Sequence, residues 1–175
     1  SASIFLKSVL EAIPLVDLQM LKELPADFSS TNFSETGVTV FHQAVPNPLP
    51  QGKLLVIDPR NNCDLWNVGQ LIEQPMVASV DPKSPITAHV KLTNVLFPDA
   101  HELTFNGTAE TLIKTPLDQP LLSRISRPGG DVLVLNVELD KVELLREFAS
   151  GGDHGVHAVV LAPDAKSLYL VCGNG

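Results

Sequence analysis

Only two cysteines, Cys63 and Cys172, occur in this chain of 175 residues, and they stand far apart with no CxxC spacing. Neither a zinc site nor a disulfide framework is indicated, although one bridge between the two stays open. Positive charge is also scarce: 12 Lys and Arg face 20 Asp and Glu, a formal net charge of −8. Nucleic-acid binding needs clustered Lys and Arg against phosphates, and here they are scattered, so no nucleic-acid partner is expected. No apolar run reaches the roughly 18 residues that would span a bilayer, so this segment is not expected to insert into a membrane directly. No charged n-region with an apolar h-region opens the sequence, so no signal peptide is read there. A Gly-rich phosphate loop is missing as well, since Gly129-Gly130 precedes a strand instead of following one. Nucleotide binding is thus unsupported, and no cofactor is expected.

What is present is a chain apolar enough to fold. Hydrophobic residues make up 44% and charged residues 18%, too apolar for disorder, and the length suits one main domain with a sizeable core. Ile4, Phe5, Val9, Ala12 and Ile13 recur at helical spacing behind Ser3, which predicts a helix ended by Pro14. Leu15 to Leu21 alternates as a strand does, and Gly37 to Phe41 reads as a second strand. After Pro46, Pro48 and Pro50, the run Lys53 to Asp58 has the unbroken apolar centre of a strand covered on both faces, as in a parallel sheet. Shorter antiparallel strands are expected at Met76 to Val80, His89 to Leu92, Glu102 to Phe105, Thr111 to Lys114 and Leu121 to Ile125. Arg127-Pro128-Gly129-Gly130 then marks a turn into a core strand within Asp131 to Leu139. The sum is an α/β domain whose helices cover a mostly parallel sheet.

Four blocks in this order, "FLKSVLEAIPLVDLQML", "GVTVFHQAVPNPLPQGKLLVIDP", "VASVDPKSPITAHVKLTNV" and "LLSRISRPGGDVLVLNVELD", carry a resemblance. Residues 1–139 resemble the glutamine-amidotransferase-like domain of bacterial membrane-anchored von Willebrand factor A proteins of the aerotolerance type. The resemblance implies a flavodoxin-like, mostly parallel sheet with antiparallel additions, in an extracytoplasmic, membrane-anchored parent protein. The family's first strand would lie just before Ser3.

A working amidotransferase needs a Cys on a tight strand-to-helix elbow, flanked by Gly two residues either side, with a His and an acid nearby. Cys63 follows a core strand, but Asn61 and Leu65 stand where Gly is wanted. The domain therefore reads as a non-catalytic descendant with a binding or scaffolding role and a protein partner. A diverged amidohydrolase using Cys63 is the alternative. Open α/β sheets bind ligands at the C-terminal ends of their strands, which singles out Asp58, Arg60 and Asn61 as candidate ligand-binding residues. His42, His89 and His101 read as structural histidines; His42 ends a strand, where an edge residue with a backbone partner is expected.

From Asp140 the texture changes. "DKVELLREFASGGDHGVHAVVLAPDAKSLYLVCGNG" resembles one β-propeller blade of bacterial sorbosone-type and membrane-bound dehydrogenases. Residues 140–175 are thus read as a helix, Val142 to Phe148, followed by a hairpin of Val156 to Leu161 and Leu168 to Val171 about a turn at Pro163 to Ser167. One hairpin cannot build the central channel that holds a quinone, so a fragment of a quinone-dependent sugar dehydrogenase is a further alternative only. Asp153, His154 and His157 offer donors for a metal if a third element adds a ligand. The break near Leu139-Asp140 also fits a junction of two gene fragments.

Overall fold

The computed structural model describes residues 4–14, 17–21, 37–92, 95–139, 156–161 and 168–172. The apolar runs of the sequence become strands. β1 (Val38–His42) and β2 (Lys53–Ile57) pair in parallel, and β2 pairs in parallel on its other side with β8 (Val132–Leu135). Because side chains alternate across a strand and parallel partners stay in register, Phe41, Val56 and Val134 fall on one face of the sheet. All three are buried, together with Leu54 and Val132. Each such Val or Leu side chain contributes about 1.5–3 kcal/mol of transfer free energy.

Between β2 and β8 the chain lays down β3 (Trp66–Glu73), β4 (Ser79–Val80), β5 (Asp99–Phe105), β6 (Glu110–Lys114) and β7 (Pro120–Ile125). The six-stranded sheet runs in the order β1-β2-β8-β7-β6-β4, with β7, β6 and β4 joined antiparallel. It is therefore a mixed α/β sheet: two parallel pairings on the β1 side and three antiparallel ones on the β4 side. β3 and β5 form a separate antiparallel ribbon. Trp66 of β3 and Leu103 of β5 join the core cluster built on Phe41, Leu54, Val56, Val132 and Val134, so the ribbon packs on that face. A second cluster gathers Ala100, Leu112, Ile113, Leu121, Leu122 and Val137, with Leu133 and Leu135 packed against it. β8 thus feeds one core with its even-numbered residues and the other with its odd-numbered ones.

Several expectations are corrected by the structure. The covering helices reduce, among the described residues, to α1 (Ile4–Glu11), whose Val9 remains exposed along with the following Ile13. Residues 17–21 form no strand, and Met20 and Leu21 point to solvent, so their alternation reflects no sheet face. The strand expected at Met76 shrinks to Ser79–Val80, and His89 to Leu92 contains no strand. In that segment Thr87 Oγ1 donates to the Asp81 carbonyl, and the Ala88 N–H donates to the Ser84 carbonyl at 2.9 Å, a turn that draws the backbone away from any ladder. β3 was absent from the sequence pattern altogether.

The chain divides into two compact units, Ser1–Lys141 and Val142–Gly175. In the second, β9 (Val156–Leu161) pairs antiparallel with β10 (Leu168–Cys172), with a register shift between Val171 and Cys172. The helix expected at Val142 to Phe148 and the turn at Pro163 to Ser167 lie outside the described residues. Among the described residues no helix is long and apolar enough to cross a membrane.

Candidate functional site

The C-terminal ends of β1, β2 and β8 lie side by side, and each delivers polar residues to the same edge. β1 ends on His42 and is followed by Gln43; β2 is followed by Asp58; β8 is followed by Asn136 and Glu138. Backbone bonds lock these exits together. The Gln43 N–H donates to the Ile57 carbonyl at 2.9 Å, the Asp58 N–H to the Leu135 carbonyl at 2.8 Å, and the Arg60 N–H to the Gln43 carbonyl at 2.8 Å. Gln43 (φ 66) and Asp58 (φ 50) both adopt the left-handed conformation. That conformation costs a residue with a Cβ about 1–2 kcal/mol, so the surrounding bonds must hold it.

Asp58 is fully buried. Its Oδ2 accepts from Arg60 Nε at 2.8 Å, from Arg60 Nη2 at 2.7 Å and from Gln43 Nε2 at 3.2 Å. Its Oδ1 has no hydrogen-bond partner. Glu138, also buried, receives Arg60 Nη2 and Gln43 Nε2 on its Oε2, the latter at 3.4 Å. One guanidinium therefore bridges two carboxylates while its own side chain stays 44% exposed. His42 completes the group: one ligand atom from each of His42, Asp58 and Glu138 lies within 4.8 Å of the others.

Burial raises the Asp58 carboxyl above its ordinary value of 3.8; the Arg60 hydrogen bond and charge pull it back, and the nearby Glu138 charge pushes it up again. Burial also works against the Arg60 charge, yet the hydrogen bond and charge of Asp58, with Glu138 behind them, outweigh it and hold the guanidinium above its ordinary value. Two acids thus share one base, and one of them is fully buried.

Of the residues singled out from the sequence, Asp58 and Arg60 meet directly. Asn61 points elsewhere: its Oδ1 accepts the Val45 N–H and its Nδ2 donates to the Val45 carbonyl, both at 3.0 Å. It latches the loop after β2 to the loop after β1, and its carbonyl accepts Trp66 Nε1 at 3.3 Å. Asp153 and His154 lie outside the described residues; His157 falls on β9, and its side chain is outside them as well. Cys63 is a free, buried thiol in the core that also holds Trp66. Burial raises it above 9.0, the opposite of what an attacking thiolate needs. His89 is exposed in a turn. The His101 backbone is held by Asn136, whose Nδ2 donates to the His101 carbonyl at 2.6 Å and to the Pro120 carbonyl at 2.9 Å.

Gln43, Glu138 and the role of His42 were missed in the sequence. The one signal available was that "VLVLNVELD" places Asn136 and Glu138 just past an apolar strand, as Asp58 stands past β2. Using it required knowing that β8 lies beside β2, a pairing across roughly 80 residues of chain. No protein-family model, curated protein or solved structure matches the chain.

Proposed function

We propose that the α/β unit is a non-catalytic interaction domain of a membrane-anchored, extracytoplasmic bacterial protein, and that it binds its protein partner at the edge where β1, β2 and β8 end. The observation that carries this reading is the half-exposed Arg60 guanidinium seated on the buried carboxylates of Asp58 and Glu138. Nε and Nη2 are engaged by the two acids, so Nη1 is the donor left to face an acidic or carbonyl group of a partner. A guanidinium fixed in this way loses little side-chain freedom on binding. The four sequence blocks support the kind of parent protein. The raised, buried thiol of Cys63 weighs against an amidohydrolase. For the second unit, the antiparallel pairing of β9 and β10 fits the blade-like hairpin, while two strands fall short of a quinone-holding channel.

The test places a photoreactive residue at the exposed Ala44, beside Gln43, in membranes that contain the parent protein. A discrete cross-linked partner that disappears on Arg60→Ala is expected. Cross-linking that ignores Arg60, or glutamine hydrolysis lost on Cys63→Ala, would overturn the reading.

A further inference from the structure

We propose that His42, Asp58 and Glu138 form a binding site for one divalent transition-metal ion of the zinc type at the edge where the parallel strands end. The inference shares that edge with the interaction role proposed above and rests on its being a binding edge, but it needs no protein partner. Three observations carry it. The ligand atoms of the three side chains lie within 4.8 Å of one another. Around a tetrahedral ion, nitrogen and oxygen ligands at about 2.0–2.2 Å stand about 3.3–3.6 Å apart, so side-chain rotation must close up to about 1.5 Å. Asp58 is wholly buried and leaves Oδ1 without a hydrogen-bond partner, a costly arrangement that a cation would relieve. Finally, two acidic side chains share a single guanidinium, so one partner has to serve both.

The donor set decides the class of ion. One imidazole and two carboxylates, with no thiolate, suit zinc, cobalt or manganese; calcium takes six to eight oxygens and is not served by three side chains. The surroundings also resemble an outer ligand shell, since Gln43 Nε2 bridges Asp58 and Glu138 and fixes their orientation. Arg60 competes for the same acids. Because its side chain is 44% exposed, it can withdraw toward solvent as the ion enters.

The experiment uses the full chain, stripped of metal with a chelator and titrated with Co²⁺ and then Zn²⁺. Cobalt is followed by its visible d–d absorption, and zinc by displacement of cobalt. One equivalent per chain is expected. His42→Ala should weaken binding by about 10-fold or more, while Arg60→Met should tighten it by removing the competing charge. His42→Gln, Glu138→Gln and Asp58→Asn should each weaken binding as His42→Ala does, the first two carrying the test should Asp58→Asn fail to fold, and circular dichroism confirms the fold of each. The double variant His154→Ala/His157→Ala should bind as the parent does. Absence of stoichiometric binding, binding indifferent to His42→Ala, or binding abolished by the His154/His157 variant would each overturn the site. None of these outcomes depends on cross-linking at Ala44, so the two proposals fail separately.

Discussion

At the scale of single residues, burial decides what each polar side chain does, and Cys63 and Asn61 show this most directly. The Cys63 thiol is 5% exposed and raised above 9.0, chiefly by burial. In the folded protein, alkylation by iodoacetamide should be about 100-fold slower than in urea or more, because reaction waits for the core to open. The same shift fixes a pH dependence. Folded Cys63 keeps a proton that the unfolded chain gives up near 9.0, so the unfolded state binds fewer protons and stability falls as pH rises past that value. Urea midpoints compared at about pH 8 and about pH 10 should fall further for the parent than for Cys63→Ala; equal falls would show that burial of the thiol carries no such linkage. Asn61 is a latch whose amide meets both backbone groups of Val45 at 3.0 Å. Asn61→Ala should cost about 1–3 kcal/mol in urea unfolding, since the Val45 N–H and carbonyl lose their partners. The Arg60-dependent cross-link should survive that change, and its loss would make Asn61 part of the binding surface.

At the scale of elements, the sequence was legible wherever a strand buries itself by its own pattern. β1, β2, β6, β7 and β8 all carry apolar residues that go inside, and the Arg127–Gly130 turn falls where its glycines stand. β3 was not legible because only Trp66 of it is fully buried, with Val68 packed beside it, while Asn67, Gly69, Gln70, Leu71 and Glu73 are exposed. Gly69 lies inside a register shift between Val68 and Leu71, where a Cβ would stand 2.9 Å from the Cβ of Glu102. A glycine there reads as a break in one dimension and is a bulge in three. Half of the candidate site was legible for a similar reason. Asp58 and Arg60 follow an obvious strand, whereas Glu138 gains meaning only from the β2–β8 pairing. The β7–β8 turn offers a test of how tightly elements meet. Gly130 has φ +133, and a Cβ on it would stand 2.6 Å from the backbone of Gly52, just before β2. Gly130→Ala should therefore lower stability by about 2 kcal/mol or more. Gly129 faces the movable end of the Gln51 side chain, so Gly129→Ala should cost less. The reverse order in urea midpoints would mean that the close approach of this turn to β2 is not what limits it.

At the scale of the whole molecule, both core clusters found among the described residues are drawn from residues 41–139, within the unit Ser1–Lys141. The mixed sheet and its covering ribbon are therefore expected to fold without the C-terminal strands. The unit Val142–Gly175 is in the opposite position: a chain below about 40 residues rarely buries enough surface to fold alone, and an isolated two-stranded pair is marginal in water. The chain supplies its own reporter for separating these cases. Trp66 is its one tryptophan and is 0% exposed, so its fluorescence should be blue-shifted in the native state and should move to the red when the first unit opens. A chain ending at Lys141 should give the same native emission, and a urea transition in Trp66 within about 0.5 kcal/mol of the full chain, the spread expected between independent sites. The isolated segment Val142–Gly175 should show no cooperative transition by circular dichroism. A truncated chain with red-shifted emission before any urea is added would mean that the first unit depends on the second for its core. The Arg60-dependent cross-link would then have to be sought in the full chain alone, because the edge formed by β1, β2 and β8 would not outlast the cut.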